Sequence, residues 1–411
     1  MHESHKINFC KTLLLVLYIS LITGFFFNEN SSGGSKIDFL YTLPFVKKIS
    51  ENFFLGVELL NKSSTIVHLP LHYIIVALFF KLFESTEILR IIFLNISILI
   101  PFIFYKSLGI IYKNKITILL IPTLIFLSPY FRSSAIWPTS DNTALIFFSI
   151  TIFFFLKIIK NINYNHIHCI LFILFFFLSS LTRQYYIIFL VYFFYIFYKK
   201  NIFKKIKGKL FYVTIFIIII GYVIFNNILK IKITETFLTN NIFNNIYINL
   251  SILFFYLFPL FFLNIKNLNK FKKFFFQNKK FYFLSSLILF ILYTKFNYSG
   301  LGGGFYYQLI NNYLPKEIFL IISLLGFYVL YYFIYKNLNN LILILILFSI
   351  FNYNVVYQKY FDPLFLIIFF TLFKHSAIDS LIKTTSNFIN FFYIFIYFFL
   401  YWLVNIVHHT N

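Results

Sequence analysis

An all-α bundle of helices crossing a membrane about 13 times is the fold this sequence predicts. Three observations carry that expectation. The chain has 411 residues, of which 60% are hydrophobic, 11% are charged and 65 are Phe, so too few polar side chains remain to cover a soluble surface. Apolar runs of roughly the 17 to 25 residues a helix needs to span a bilayer recur along the whole length. The runs are continuous rather than alternating, which excludes a transmembrane β-barrel.

The first run, 12–27, has no small-residue cleavage site after it and reads as a retained span rather than a signal peptide. Further spans are expected at 88–108, 116–131, 142–157, 168–182, 184–198, 210–228, 247–264, 281–295, 317–335, 340–356, 363–373 and 387–405. Segments 39–54 and 69–84 are apolar but broken by charge and proline. They read as two interfacial helices in a long outer loop, 28–87. No soluble domain is visible, so 1–411 reads as one transmembrane domain.

Charge sets the orientation. The net charge of +23 suggests nucleic acid as a partner, but the lysines sit in short clusters between spans, as the positive-inside rule requires, and that reading is excluded. With the N-terminus inside, 22 of the 35 Lys and Arg fall in inner segments, densest in KKNIFKKIKGK (199–209) and at 266–280. Making 69–84 a span would turn those dense loops outward. There are 32 Lys but only 3 Arg, so each Arg draws attention. Cys10 and Cys169 fall near inner span ends and make neither a disulfide framework nor a metal cluster.

The costly polar residues gather on the opposite side. Asp38, His68 and His72 lie in the first outer loop; Arg132 and Asp141 lie in SPYFRSSAIWPTSDNTALIFF (128–148). Arg183 and Gln184 lie in LTRQYYIIF (181–189), and Lys359, Tyr360 and Asp362 in VVYQKYFDPL (355–364). An active site opening at the outer membrane surface would collect residues this way. A transporter would place them near the midplane of discontinuous helices.

These segments resemble the GT-C class of integral-membrane glycosyltransferases, which use a polyprenyl-phosphate-linked sugar as donor. The order matches over most of the N-terminal half: a first span, an outer loop with an acid, HLPLHY (68–73), a span opened by Arg90, then Ser128, Pro129 and Asp141 before the fourth span. LTRQYYIIF and VVYQKYFDPL are similar to two motifs of the dolichyl-phosphate-glucose α-1,2-glucosyltransferase family. That family's first-loop acidic pair is here the single Asp38, with Lys36 beside it; the arginine of its late motif is Lys359, and the glutamate is absent.

The resemblance implies inverting transfer of a sugar to a glycan, lipid or protein acceptor at the outer face. Such chemistry needs a base for the acceptor hydroxyl, cations for the growing charge on the leaving phosphate, and an apolar groove for the prenyl chain. Asp38 takes the base position; its plainer role is a helix N-cap. His68 and His72 share a helix face at four-residue spacing, but Pro70 and the lack of a third ligand favour substrate contact over metal. Asp141 is either an N-cap or a second carboxylate for acceptor hydroxyls. Arg132 either contacts substrate or snorkels. Arg183 suits bidentate phosphate binding with Gln184 beside it. Lys359 and Tyr360 form the other half of a phosphate clamp, or an interfacial anchor.

Gly302–Gly304, in LGGGFYYQ (301–308), read as a flexible loop; a phosphate cradle there would need a helix N-terminus in register. No cofactor is expected beyond the lipid-linked donor, and a divalent metal stays open. Expected partners are the polyprenyl-phosphate sugar, membrane lipids and a glycan or glycolipid acceptor. A lipid-linked-glycan flippase is the competing reading. A polymerase or ligase of lipid-linked glycans would carry a large outer loop late in the chain, which is missing. Nucleotide-composition bias favours a bacterial inner membrane, with the site facing the periplasm, over the endoplasmic reticulum.

Overall fold

Hydropathy translates directly into helix. In the computed structural model, which describes residues 3–63, 68–160, 166–202, 242–262, 265–298, 302–350, 355–385 and 388–410, 85% is helical and none of the described residues is in a strand. Among them, six helices are long and apolar enough to cross a membrane: Glu3–Phe26, Thr86–Ile111, Ser140–Lys160, Ile242–Leu260, Glu317–Ile334 and Ile389–His409. Two bent pairs raise the number to eight if each is one span: Lys115–Leu127 with Pro129–Ile136, bent by 69°, and Gln358–Thr371 with Ser376–Lys383, bent by 96°. The chain is an all-α membrane protein.

The expected run at 210–228 lies outside the described residues. The expected run at 184–198 divides into a 3₁₀ turn, Gln184–Phe189, and a helix of 10 residues, Leu190–Lys199. The turn forms where Tyr186 and Phe189 are drawn onto Phe148, with ring centroids 4.5 and 4.7 Å away. The expected interfacial segments are helices Ser35–Glu51, Phe53–Lys62 and Leu71–Phe83. Asn52 accepts from Leu55 N at 3.1 Å to start the second of these. Gly56 lets that helix fold back: a Cβ there would lie 2.4 Å from Ile49 N.

By its packing, the chain forms two compact units. One is Met1–Thr234 with Phe398–Asn411; the other is Glu235–Tyr397. The second has a heavily buried helix, Ile242–Phe262, at its centre. Gly326 of Glu317–Ile334 lies against it so closely that a Cβ would stand 2.4 Å from Leu250 O. Small residues at such crossings let membrane helices approach.

Candidate functional site

The first unit builds a polar cluster from three helix starts. Ser35–Glu51 begins after Gly33, whose φ of +75° is open to glycine. The preceding loop is tied to helix Pro129–Ile136: Ser31 Oγ donates to Pro129 O at 3.0 Å, and Ser32 N donates to Ser133 Oγ at 2.8 Å. This anchored loop presents Asp38 in the first turn of the helix, exposed to solvent. The helix cap is Gly34, so capping is not the role of Asp38.

Pro70 precedes helix Leu71–Phe83, placing His72 and Tyr73, both buried, in its first turn. His72 Nδ1 lies 2.9 Å from Thr143 Oγ1, and its ring also bonds the Pro138 carbonyl. Burial pushes the His72 pKa down to about 3, so the ring is neutral at physiological pH. His68 stands just before that helix, half-buried.

Helix Ser140–Lys160 carries Asp141 in its first turn, with Thr139 Oγ1 donating to Oδ2 at 3.3 Å. Arg183 ends helix His166–Thr182 in an extended conformation, φ −136° and ψ 105°, which leads into the Gln184–Phe189 turn. Its Nη2 meets Asp141 Oδ2 at 2.6 Å, and its Nε donates to Ser140 Oγ at 3.0 Å. The side chain of Arg183 is 4% exposed and that of Asp141 22%, so the pair opens at its carboxylate end. Tyr73 stands among these groups. Burial raises the pKa of its hydroxyl, Arg183 opposes that rise, and the negative charges of Asp38 and Asp141 add to it. Asp38, His72, Tyr73, Asp141 and Arg183 therefore belong to one neighbourhood, although they come from four separate sequence segments.

A second cluster in the same unit engages Arg132. Its Nη2 meets Glu29 Oε2 at 2.6 Å, with side chains 1% and 7% exposed. Its Nη1 and Nη2 also donate to Ser20 Oγ at 3.0 Å and Ser20 O at 2.9 Å. Glu29 accepts from Trp402 Nε1 at 3.0 Å and from Ser31 Oγ at 2.8 Å. Burial acts to raise the Glu29 pKa, but Arg132, Trp402 and Ser31 outweigh it and hold the carboxyl below its ordinary value. Arg132 neither snorkels nor reaches open solvent; it spends its donors on protein. Arg90 does likewise, bonding Asn28 Oδ1 at 2.8 Å and lying 3.7 Å over the Trp137 ring.

Sequence reasoning missed Glu29, Trp137 and Trp402, and met Tyr73 only as the last residue of HLPLHY. Glu29 had a usable signal: it is one of 12 acids in the chain and follows directly on the first span.

Lys359 and Tyr360 belong to the second unit, in a short 3₁₀ turn, Gln358–Tyr360, with Lys359 Nζ 5.2 Å from the Tyr357 ring centre. There the glycine segment does run into a helix, Gly304–Tyr313, with Gly302 and Gly303 at φ +90° and +80°. The helix N-terminus is met by protein: Phe305 N donates to Gln358 Oε1 at 2.5 Å. Among the described residues, no three His, Cys, Asp or Glu gather in a metal-holding group.

Fold and site together define an α-helical integral-membrane protein with a polar, ion-paired cluster in its first unit. No protein-family model, curated protein or solved structure matches the chain.

Proposed function

We infer that the protein is an inverting GT-C-like glycosyltransferase, a bundle of about 13 spans, using a polyprenyl-phosphate-linked sugar. The observation that carries this reading is the gathering of exposed Asp38 and the Asp141–Arg183 pair around Tyr73. A solvent-open carboxylate and a cation that both act on one tyrosine are the elements the reaction needs. The Asp38 carboxylate takes the proton from the acceptor hydroxyl. The acceptor oxygen bonds to the anomeric carbon as the bond from that carbon to the phosphate oxygen breaks. The polyprenyl phosphate leaves with the electron pair.

Arg183, oriented by Asp141 and Ser140, stabilises the growing negative charge, with Gln184 beside it. Asp141 also accepts from acceptor hydroxyls at its open end. His68 and neutral His72 contact substrate. Arg132 serves by fixing the loop that launches Asp38 rather than by touching substrate. The site faces the periplasm from a bacterial inner membrane.

The test is Asp38→Asn in full-length protein, assayed for transfer from polyprenyl-phosphate sugars to a glycolipid acceptor. Loss of at least about a hundredfold in kcat is expected for removal of a general base, with membrane insertion and unfolding temperature unchanged. Undiminished transfer removes Asp38 from the mechanism. A flippase would move lipid-linked glycan without needing the Asp38 carboxylate.

A further inference from the structure

The most basic surface of the second unit is a single helix built to do two things at once. Ile265–Gln277 and the start of the next helix, Lys279–Tyr293, carry Lys266, Lys270, Lys272, Lys273, Lys279 and Lys280, with no acid between them. All six lysines are exposed. At 100° per residue, Lys266, Lys270 and Lys273 fall within one narrow sector of the helix.

The sector beside it is locked into the fold. Phe274 lies 5.1 Å from Tyr332 and 5.0 Å from Tyr335, Phe275 lies 4.6 Å from Tyr282, and Asn267 Nδ2 donates to Ala377 O at 3.1 Å. The remaining sector shows Ile265 at 73% and Phe276 at 69% exposure, with exposed Lys272 at its edge. A helix with a fixed back, an apolar flank and a lysine row has the geometry of one lying in a bilayer interface, with its flank among acyl chains and its row among headgroups. From the neighbouring helix Ser376–Thr385, the charges near this surface are Lys383 and the single acid Asp379, with Lys374 just before it. The six lysines outweigh that acid.

We propose that this lysine row is a binding surface for anionic phospholipid headgroups, holding the second unit to the anionic leaflet of its membrane. The lysine density supplies the selectivity, because each Lys near an anionic surface contributes about fivefold to binding. The packed back means that the helix itself need not become ordered when lipid binds. This proposal is independent of the glycosyl-transfer reading.

The experiment uses the full-length protein in detergent, titrated with palmitoyl-oleoyl phosphatidylglycerol or with phosphatidylcholine of the same chains, counting retained lipids by native mass spectrometry. Preferential retention of phosphatidylglycerol is expected, weakened on the order of a hundredfold in K266Q/K270Q/K273Q. K199Q/K200Q, altering exposed lysines of the other unit, leaves the preference in place. Equal retention of the two lipids by the unaltered protein overturns the proposal. So does an undiminished preference in the triple variant, or an equal loss in the control. Displacement of the lipid by inorganic phosphate at equal concentration, or tighter binding of a 20-nucleotide single-stranded RNA, likewise overturns it.

Discussion

Removing Arg132 isolates a charge that water cannot reach. The Glu29–Arg132 pair is 2.6 Å long, with side chains only 1% and 7% exposed. In Arg132→Met, the carboxylate keeps just the Trp402 and Ser31 donors, at 3.0 and 2.8 Å. Breaking a buried pair from one side costs about 3–5 kcal/mol, because the survivor stays desolvated and unpaired. Glu29→Gln strands the guanidinium and falls in the same range. The double variant removes both charges and leaves only imperfectly matched hydrogen bonds, costing about 1–2 kcal/mol, far less than the two singles added together.

The pH dependence separates this from simple loss of contact. In the unaltered protein the Glu29 pKa is depressed, so the pair's stabilisation is present above the ordinary carboxylate pKa and lost as pH falls through the folded value. In Arg132→Met burial dominates, the carboxyl pKa rises, and the variant recovers stability as pH falls. The readout is intrinsic. The chain has 2 Trp, and both Trp137 and Trp402 donate to Glu29, to its carbonyl and its carboxylate, each at 3.0 Å. Tryptophan emission during unfolding in detergent therefore reports on this cluster. Additive single and double variants, within about 0.5 kcal/mol, would refute the coupling.

The His72 ring, held neutral with its pKa pushed to about 3, takes up its proton only on unfolding between that value and the unfolded pKa of about 6.5. The protein therefore loses about 2 kcal/mol by pH 5 from this group alone; denaturant titrations should show the loss, and a variant His72→Phe with the same slope would refute it. Asn249 is buried with neither amide atom hydrogen-bonded. Asn249→Leu relieves a desolvated amide and should raise stability by about 1–3 kcal/mol, visible as a higher unfolding temperature; a lower one counts against it. Gly326→Val drives a side chain into the Leu250 carbonyl, 2.4 Å from the first added atom. It should cost about 1–3 kcal/mol by overpacking, measured in the same thermal scan, and an unchanged midpoint would show that the helices can separate freely.

Hydropathy alone determined the helical class and the existence of most long helices, because transfer of a continuous apolar run into lipid depends on that run and little else. The break at Pro70 was legible for a local reason, because the missing N–H and fixed φ of proline act within one turn, whereas the bend at Ser128–Pro129 falls inside the run expected at 116–131. Asp38, Asp141 and Arg183 could be singled out as unusual, since a charge near a bilayer is costly wherever the chain goes. Which charge answers which was beyond one-dimensional reading. Arg132 was expected at the membrane surface, yet it turns inward to Glu29, 103 residues away, while Arg183 reaches Asp141 across two helices. Tyr73 joins Asp38 to that second pair only because helix Leu71–Phe83 folds its first turn against Ser140–Lys160. A buried charge takes its partner from three-dimensional proximity, since Coulomb attraction and hydrogen bonding fall off over a few ångströms of space and take no account of separation along the chain.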